Sequence, residues 1–248
     1  MGEVRVIEEG IAMTSPQAGT TQGIPQVEVV FLLDCDNTLL DNDAVKADMD
    51  AQLRALLGPT MADTFWTQYE EVRQLVGSVD LPLTFERFDE RHPDPAVAAR
   101  LRSIIMDYPF ASRVYPDTMA TIAYLKTLGL PTILSDGDSL YQPHKIEQSG
   151  LAEAVNWQAV IYTHKEEHIE EVMARWPANI YVSVDDKGRI LSALKRGWPD
   201  RCVTVHVTQG HYGQSAPPET PAPDIAIASI GELQSLTLAD FRACLHPR

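Results

Sequence analysis

Disulfide chemistry has little to work with in this chain of 248 residues. The three cysteines, Cys35, Cys202 and Cys244, are odd in number and none stands in a CxxC spacing, which argues against a disulfide framework and against a cysteine-held zinc ion. Positive charge is scarce as well. Against 35 Asp and Glu residues there are 20 Lys and Arg, a formal charge of −15, so no broad basic surface is on hand for a phosphate backbone and nucleic acid is not expected as a partner. Long apolar runs are also missing: none approaches the ~18 residues of a membrane span. The acidic N-terminus lacks the apolar core of a secretion signal, and Val6 stands where a myristoylation signal needs Ser or Thr. These absences predict a reduced, cytoplasmic protein with no membrane partner. What is present, 44% hydrophobic and 22% charged residues, is enough to bury a sizeable core as one large domain or as a domain with an insertion.

Residues 1–25 end in the polar, small-residue stretch Thr14 to Gly23, without periodicity, and are expected to be a mobile tail outside the fold. The run Val29-Val30-Phe31-Leu32-Leu33 is continuously apolar, as in a strand covered on both faces of a parallel sheet. Similar runs lie at Pro131–Leu134, Ala159–Tyr162, Ile180–Val184, Cys202–Val207 and Ile225–Ile227. Helical patterns separate most of them; between Pro116 and Gly129, for instance, Met119, Ile122, Leu125 and Leu128 recur every three residues. The alternation predicts an α/β fold with a doubly wound parallel sheet over residues 26–41 and 115–248. From 42 to 114 no strand is visible, and Met49–Leu57, Phe65–Val76 and Pro95–Met106 look helical. Such an insertion after the first strand suggests a cap over that strand's carboxyl end, where open α/β sheets bind ligands. Gln209–Pro223, rich in Gly, Ser and Pro, reads as a loop.

The first apolar run stops at Asp34-Cys35-Asp36-Asn37-Thr38. Two carboxylates at i, i+2 repel one another, and a divalent cation or a lysine relieves the cost. Alone, an Asp-x-Asp is usually just the start of a loop. The second run, however, ends in Ser135-Asp136-Gly137-Asp138, the fourth ends in Asp185-Asp186, and Lys165 follows the third. Acids, a hydroxyl and an ammonium thus converge on one sheet edge. This inventory suits phosphoryl transfer, where positioning and charge neutralisation supply most of the catalysis.

At these residues the chain resembles the haloacid dehalogenase-like superfamily of phosphatases, in motif order over residues 27–245, with an insertion where that family carries a helical cap. The resemblance implies that Asp34 is the nucleophile that forms an aspartyl-phosphate and that Asp36 protonates the leaving oxygen and then activates water. It implies that Ser135 hydrogen-bonds the transferring phosphoryl oxygens and that Lys165 neutralises Asp34 and the phosphoryl charge. It further implies a magnesium ion on Asp34, the backbone carbonyl of Asp36, and Asp185, with Asp186 in place of the acid that many relatives carry four or five residues after Asp185, where this chain has Arg189 and Ile190. The expected partner is a small phosphorylated metabolite.

Several alternatives stand beside this one. Lys145 competes with Lys165 for the lysine role, but precedes Gly150 in an earlier helical segment. Dehalogenation needs no acid at position 36. A phosphonatase needs a cap lysine for a Schiff base, and the only lysine between Asn42 and Val114 is Lys46, close to the hinge. A sugar-phosphate mutase uses the same phospho-aspartate. His164-Lys165-Glu166-Glu167-His168 matches the H-x-x-E-H of zinc peptidases, and a non-catalytic binding module retains the acids without turnover. Cys35, set between two acids, is expected to be a buried spacer, not a nucleophile. Arg54, Arg73, Arg87, Arg91 and Arg113, with Trp66, Tyr69, Phe85 and Phe88, are candidates to contact the leaving group.

Overall fold

The computed structural model describes residues 2–7, 10–15, 25–77, 79–215 and 219–245. Among the described residues eight strands, β1 (Glu3–Ile7), β2 (Gly10–Thr14), β3 (Val27–Leu33), β4 (Leu130–Asp136), β5 (Ala159–Tyr162), β6 (Ala178–Asp185), β7 (Cys202–Val207) and β8 (Ile225–Ile227), form one sheet. Its order is β1-β2-β5-β4-β3-β6-β7-β8. The strands from β3 to β8 pair in parallel. The fold is α/β and doubly wound, as the alternation predicts.

Alternate residues of β3 feed two separate cores. Val29, Phe31 and Leu33 pack on one face with Ile133, Val182 and Phe241, while Val30 and Leu32 pack on the other with Leu134, Tyr181 and Trp176. This is why the run is apolar throughout and does not alternate. The α-helices of the described residues are α1 (Asn42–Leu57), α2 (Pro59–Val76), α3 (Leu81–Arg91), α4 (Pro95–Met106), α5 (Thr118–Leu128), α6 (Tyr141–Gln148), α7 (Leu151–Ala154), α8 (Ile169–Arg175), α9 (Gly188–Gly197), α10 (Gly210–Ser215) and α11 (Leu238–Ala243). Proline opens α2, α3 and α4, and the side chains of Asp41, Asp80 and Asp94 cap α1, α3 and α4.

Over residues 42–114 the described residues form α1 to α4 and a short 3-10 turn at Phe110–Arg113, with no strand. The helix α3 goes beyond the pattern read from the sequence, and α1 and α2 begin earlier than Met49 and Phe65. Phe65, Phe85 and Phe88 form the aromatic centre of this helical layer, with ring centroids 5.6 Å apart for Phe65 and Phe88. The two chain segments that lead into and out of the layer run side by side, where Leu40 and Val114 bridge antiparallel and the Asp41 amide donates to the Arg113 carbonyl over 2.8 Å.

Two expectations need correction. Residues 3–7 and 10–14 are not a tail but a hairpin, and Gly10–Met13 pair antiparallel with Tyr162–Ala159 of β5. Ile11, Ala12 and Met13 are buried. Three apolar residues are too short a signal in isolation, and it is the otherwise open edge of β5 that gives them a place to pair. The tail expected over 16–24 lies outside the described residues. The stretch from Gln209 also contains a helical turn and a half, α10. No helix among the described residues is long and apolar enough to cross a membrane.

Candidate active site

From β3, inside the sheet, the chain moves outward to β4 and β5, then returns to the other side of β3 with β6. The strand order reverses between β3 and β6, and the carboxyl ends of strands flanking such a reversal form a ready-made crevice. Leu33 is level with Val184, and the Asp34 amide donates to the Val184 carbonyl over 2.9 Å. Asp34 and Asp185 therefore leave their strands side by side. Asn37, in the left-handed region at φ +58, turns the chain away. Its Oδ1 then accepts from the Asn42 and Asp43 amides at the start of α1.

Lys165 binds this floor together. Its Nζ lies 2.6 Å from Asp34 Oδ1 and 2.7 Å from Asp185 Oδ2, and donates to the Leu134 carbonyl at 3.1 Å. Its backbone amide donates to Asp136 Oδ1 at 2.9 Å. All three charged groups are buried. Burial works against the ammonium, but Asp185 and Asp34 hold its pKa well above the ordinary value. Burial and repulsion from Asp185 outweigh Lys165 at Asp34, whose carboxyl is pushed up to about 6. At Asp185 the balance goes the other way: burial is overcome by Lys165 and Lys187, and the pKa falls.

Asp186 is also buried, with both carboxylate oxygens unpartnered, and Asp34 Oδ2 is unpartnered beside it. Burial first, then Asp185 and Asp34, push the Asp186 carboxyl up to about 9. Unpartnered buried acid oxygens in a group are costly. Asp34, Asp185 and Asp186 bring one carboxylate oxygen each within 4.8 Å of one another, an all-oxygen set that fits a hard divalent cation. Among the described residues it is the one such group of His, Cys, Asp and Glu side chains, and neither His164 nor His168 belongs to it. His168 instead stacks on Tyr162 at 4.2 Å and pairs with Glu171 at 2.8 Å.

Asp36, two residues on, faces a different cation. Lys145 Nζ, buried, lies 2.6 Å from Asp36 Oδ1 and donates to Asn42 Oδ1 at 3.2 Å. The Asp36 carboxylate is thus not part of the three-acid group. Gln142, one helical turn before Lys145 on α6, donates to Ser135 Oγ at 2.9 Å and reaches Asp36 Oδ2 at 3.5 Å. Asp138 is engaged just before α6, accepting from the Leu140 and Tyr141 amides, and it accepts from the Leu81 amide of α3. Cys35 is buried, and burial with the neighbouring Asp36 pushes its thiol well above the ordinary range.

No protein-family model and no curated protein matches the chain. Solved structures do match. A haloacid dehalogenase-like hydrolase from Burkholderia xenovorans is 39% identical, with 88% of this chain and 99% of that one covered and a TM-score of 0.80. The chain belongs to the haloacid dehalogenase-like hydrolases. The fold recurs at much lower identity in a haloacid dehalogenase-like family hydrolase from Xanthomonas campestris, 14% identical over 91% of this chain and 98% of that one with a TM-score of 0.62. It recurs again in a HAD-hydrolase from Bacillus subtilis crystallised with magnesium, 16% identical over 85% and 98% with a TM-score of 0.55.

In this haloacid dehalogenase-like hydrolase a cavity of about 540 Å³ opens above the floor, between the sheet edge and the helical layer. Asp36, Asp136, Asp186 and Lys187 line it from below; Lys46, Trp66, Tyr69 and Arg73 line it from above. Of the residues considered for leaving-group contact, Trp66, Tyr69 and Arg73 reach the cavity, whereas Phe85 and Phe88 are core and Arg54 and Arg113 are tied to Asp50, Asp63 and Asp48. Sequence reasoning missed Gln142 and Lys187 and treated Lys145 only as a rival of Lys165. The available signal was the i, i+3 spacing of Gln142 and Lys145 on the helix that follows Ser135. Lys187 gives its amide to Asp185 Oδ1 over 2.8 Å, and burial of its ammonium is overcome by Asp34 and Asp185, which raise its pKa.

Proposed function

We propose that this hydrolase is a magnesium-dependent phosphomonoesterase that acts on a small phosphorylated metabolite through an aspartyl-phosphate on Asp34. The observation that carries the reading is the Asp36 carboxylate, which lines the cavity two residues beyond Asp34 and is positioned by Lys145 and Gln142. A halide leaves without a proton; an alkoxide does not, and an acid at this place serves an oxygen leaving group. The helical layer of residues 42–114 acts as the cap that closes the cavity over the substrate.

In the first half-reaction a carboxylate oxygen of Asp34 attacks phosphorus, the ester P–O bond breaks, and Asp36 gives a proton to the departing oxygen. In the second, Asp36 takes a proton from water as that water attacks the acyl phosphate, inorganic phosphate departs, and Asp34 is regenerated. Lys165 orients Asp34 and balances negative charge, and Ser135, held by Gln142, donates to a phosphoryl oxygen. Magnesium, when bound by Asp34, Asp185 and Asp186, supplies positive charge beside the phosphoryl oxygens.

The test is hydrolysis of an aryl phosphate by the purified protein. Activity is expected with magnesium, none in EDTA, none in Asp34→Asn, and no halide release from a haloacid. Halide release without phosphate release would replace this reading with dehalogenation.

A further inference from the structure

The upper wall of the cavity carries two donors, on Lys46 and Tyr69, that make no hydrogen bond or ion pair with the described residues. The helix α1 presents Asn42, Lys46 and Met49 to the cavity at i, i+4 and i+7, and α2 presents Trp66, Tyr69 and Arg73 at i, i+3 and i+7. The cations of the lining are otherwise engaged: Lys145 with Asp36 at 2.6 Å, Arg73 with Glu70 at 2.7 Å and Arg189 with Glu166 at 2.8 Å. Lys187 faces Asp34 and Asp185 from the floor. Lys46 alone among them makes no ion pair with the described residues; it is exposed, Asp36 and Glu70 act on it only at longer range, and its Nζ lies over the Tyr69 ring, 5.3 Å from the centroid. Tyr69 is only 6% exposed, and its hydroxyl makes no hydrogen bond with the described residues. Both residues line the cavity, so an anion that enters it can take a charge-assisted hydrogen bond from the ammonium and a second hydrogen bond from the phenol.

We infer that the Lys46 ammonium and the Tyr69 hydroxyl form a second anion subsite, so that the substrate carries, beside the phosphoryl group lodged at Asp34, a carboxylate or a second phosphate on its leaving group. This rests on the phosphomonoesterase reading for the role of the floor. The volume of about 540 Å³ suits a molecule of that kind, because small-ligand pockets run from ~300 to ~1,000 Å³. It also gives Lys46 a use other than Schiff-base chemistry: a protonated ammonium that receives an anion.

Three ligands of one chain length separate the possibilities: a plain alkyl phosphate, a carboxyalkyl phosphate and an alkyl bisphosphate. Binding to Asp34→Asn in magnesium is measured by calorimetry. At least one doubly anionic ligand is expected to bind about tenfold more tightly than the plain one or better, as one charge-assisted contact provides. Which of the two gains more identifies the second anion. In the same background Lys46→Met and Tyr69→Phe are expected to remove most of the gain, and Lys46→Arg to restore most of it relative to Lys46→Met. Equal or absent binding of the three ligands overturns the subsite, as does a gain that survives Lys46→Met. Turnover by the unmutated protein is followed in parallel. A Lys46-dependent gain in a protein that hydrolyses none of the three supports the subsite and overturns the phosphomonoesterase reading instead.

Discussion

Asp34 and Asp36 stand two residues apart on one strand exit, yet each has its own ammonium, Lys165 for the first and Lys145 for the second. The division of partners predicts a division of labour. Asp36→Asn is expected to slow aspartyl-phosphate formation from an alkyl phosphate by about 100-fold or more, the usual scale of a positioned acid, and from nitrophenyl phosphate by much less. Single-turnover formation and decay of the phosphoenzyme measures this, and equal losses with the two leaving groups would make Asp36 an organiser of the strand exit. Lys165 predicts a different kind of effect. Lys165→Met leaves Asp34, Asp185 and Asp186 buried together without their central cation, a loss of about 3–5 kcal/mol in unfolding free energy without magnesium. Urea titrations with and without magnesium should show the ion recovering part of that loss. Among these residues, the four acids, Ser135 and Lys165 were legible because strand ends and charge coincide in the sequence. Lys145, Gln142 and Lys187 were not, because helix spacing alone does not say which face turns inward.

The strand β3 was the most legible element, since burial on both faces demands an unbroken apolar run. The hairpin of β1 and β2 was the least legible, because its place depends on β5, which lies far away in sequence. Its burial is nevertheless real, and Met13 is only 1% exposed. Met13→Ala is expected to cost about 2–3 kcal/mol, within the range for buried methionines, and to lower the melting midpoint by about 5–10 °C in a chain of this size. The hairpin contributes no cavity wall at Asp34 or Asp36, so kcat per folded molecule should stay close to that of the unmutated protein. A large loss of kcat at a temperature well below both midpoints would mean that β5 needs the hairpin to aim Lys165. The helical layer was legible in type but not in extent: α3 carries Pro82 and two phenylalanines among charges, so its apolar stripe is narrow.

For the molecule as a whole, the three acids tie protonation and stability together and, on the proposed reading, metal binding as well. The Asp186 carboxyl, up to about 9 in the fold, is near ~3.9 in an unfolded chain. Between those values the folded state holds a proton that the unfolded chain has lost. Stability from this group is therefore complete below ~4 and is lost as pH rises toward and through 9. A divalent cation bound as proposed would take the proton's place. Magnesium binding is expected to release about one proton near neutral pH and progressively fewer at alkaline pH, with an affinity that rises with pH. Calorimetry in two buffers of different ionisation enthalpy counts the protons, and a count near zero at neutral pH would remove Asp186 from the ligand set. The central place of β3 has a consequence for how the chain is made. Its two neighbours, β4 and β6, lie about 100 and about 150 residues downstream, while α1 to α4 contact one another over short separations. During synthesis the helical layer can close early on local contacts. The strand that carries Asp34 must wait, and until Ala178–Asp185 emerges, Val27–Leu33 presents one open, apolar edge to whatever other chains are near.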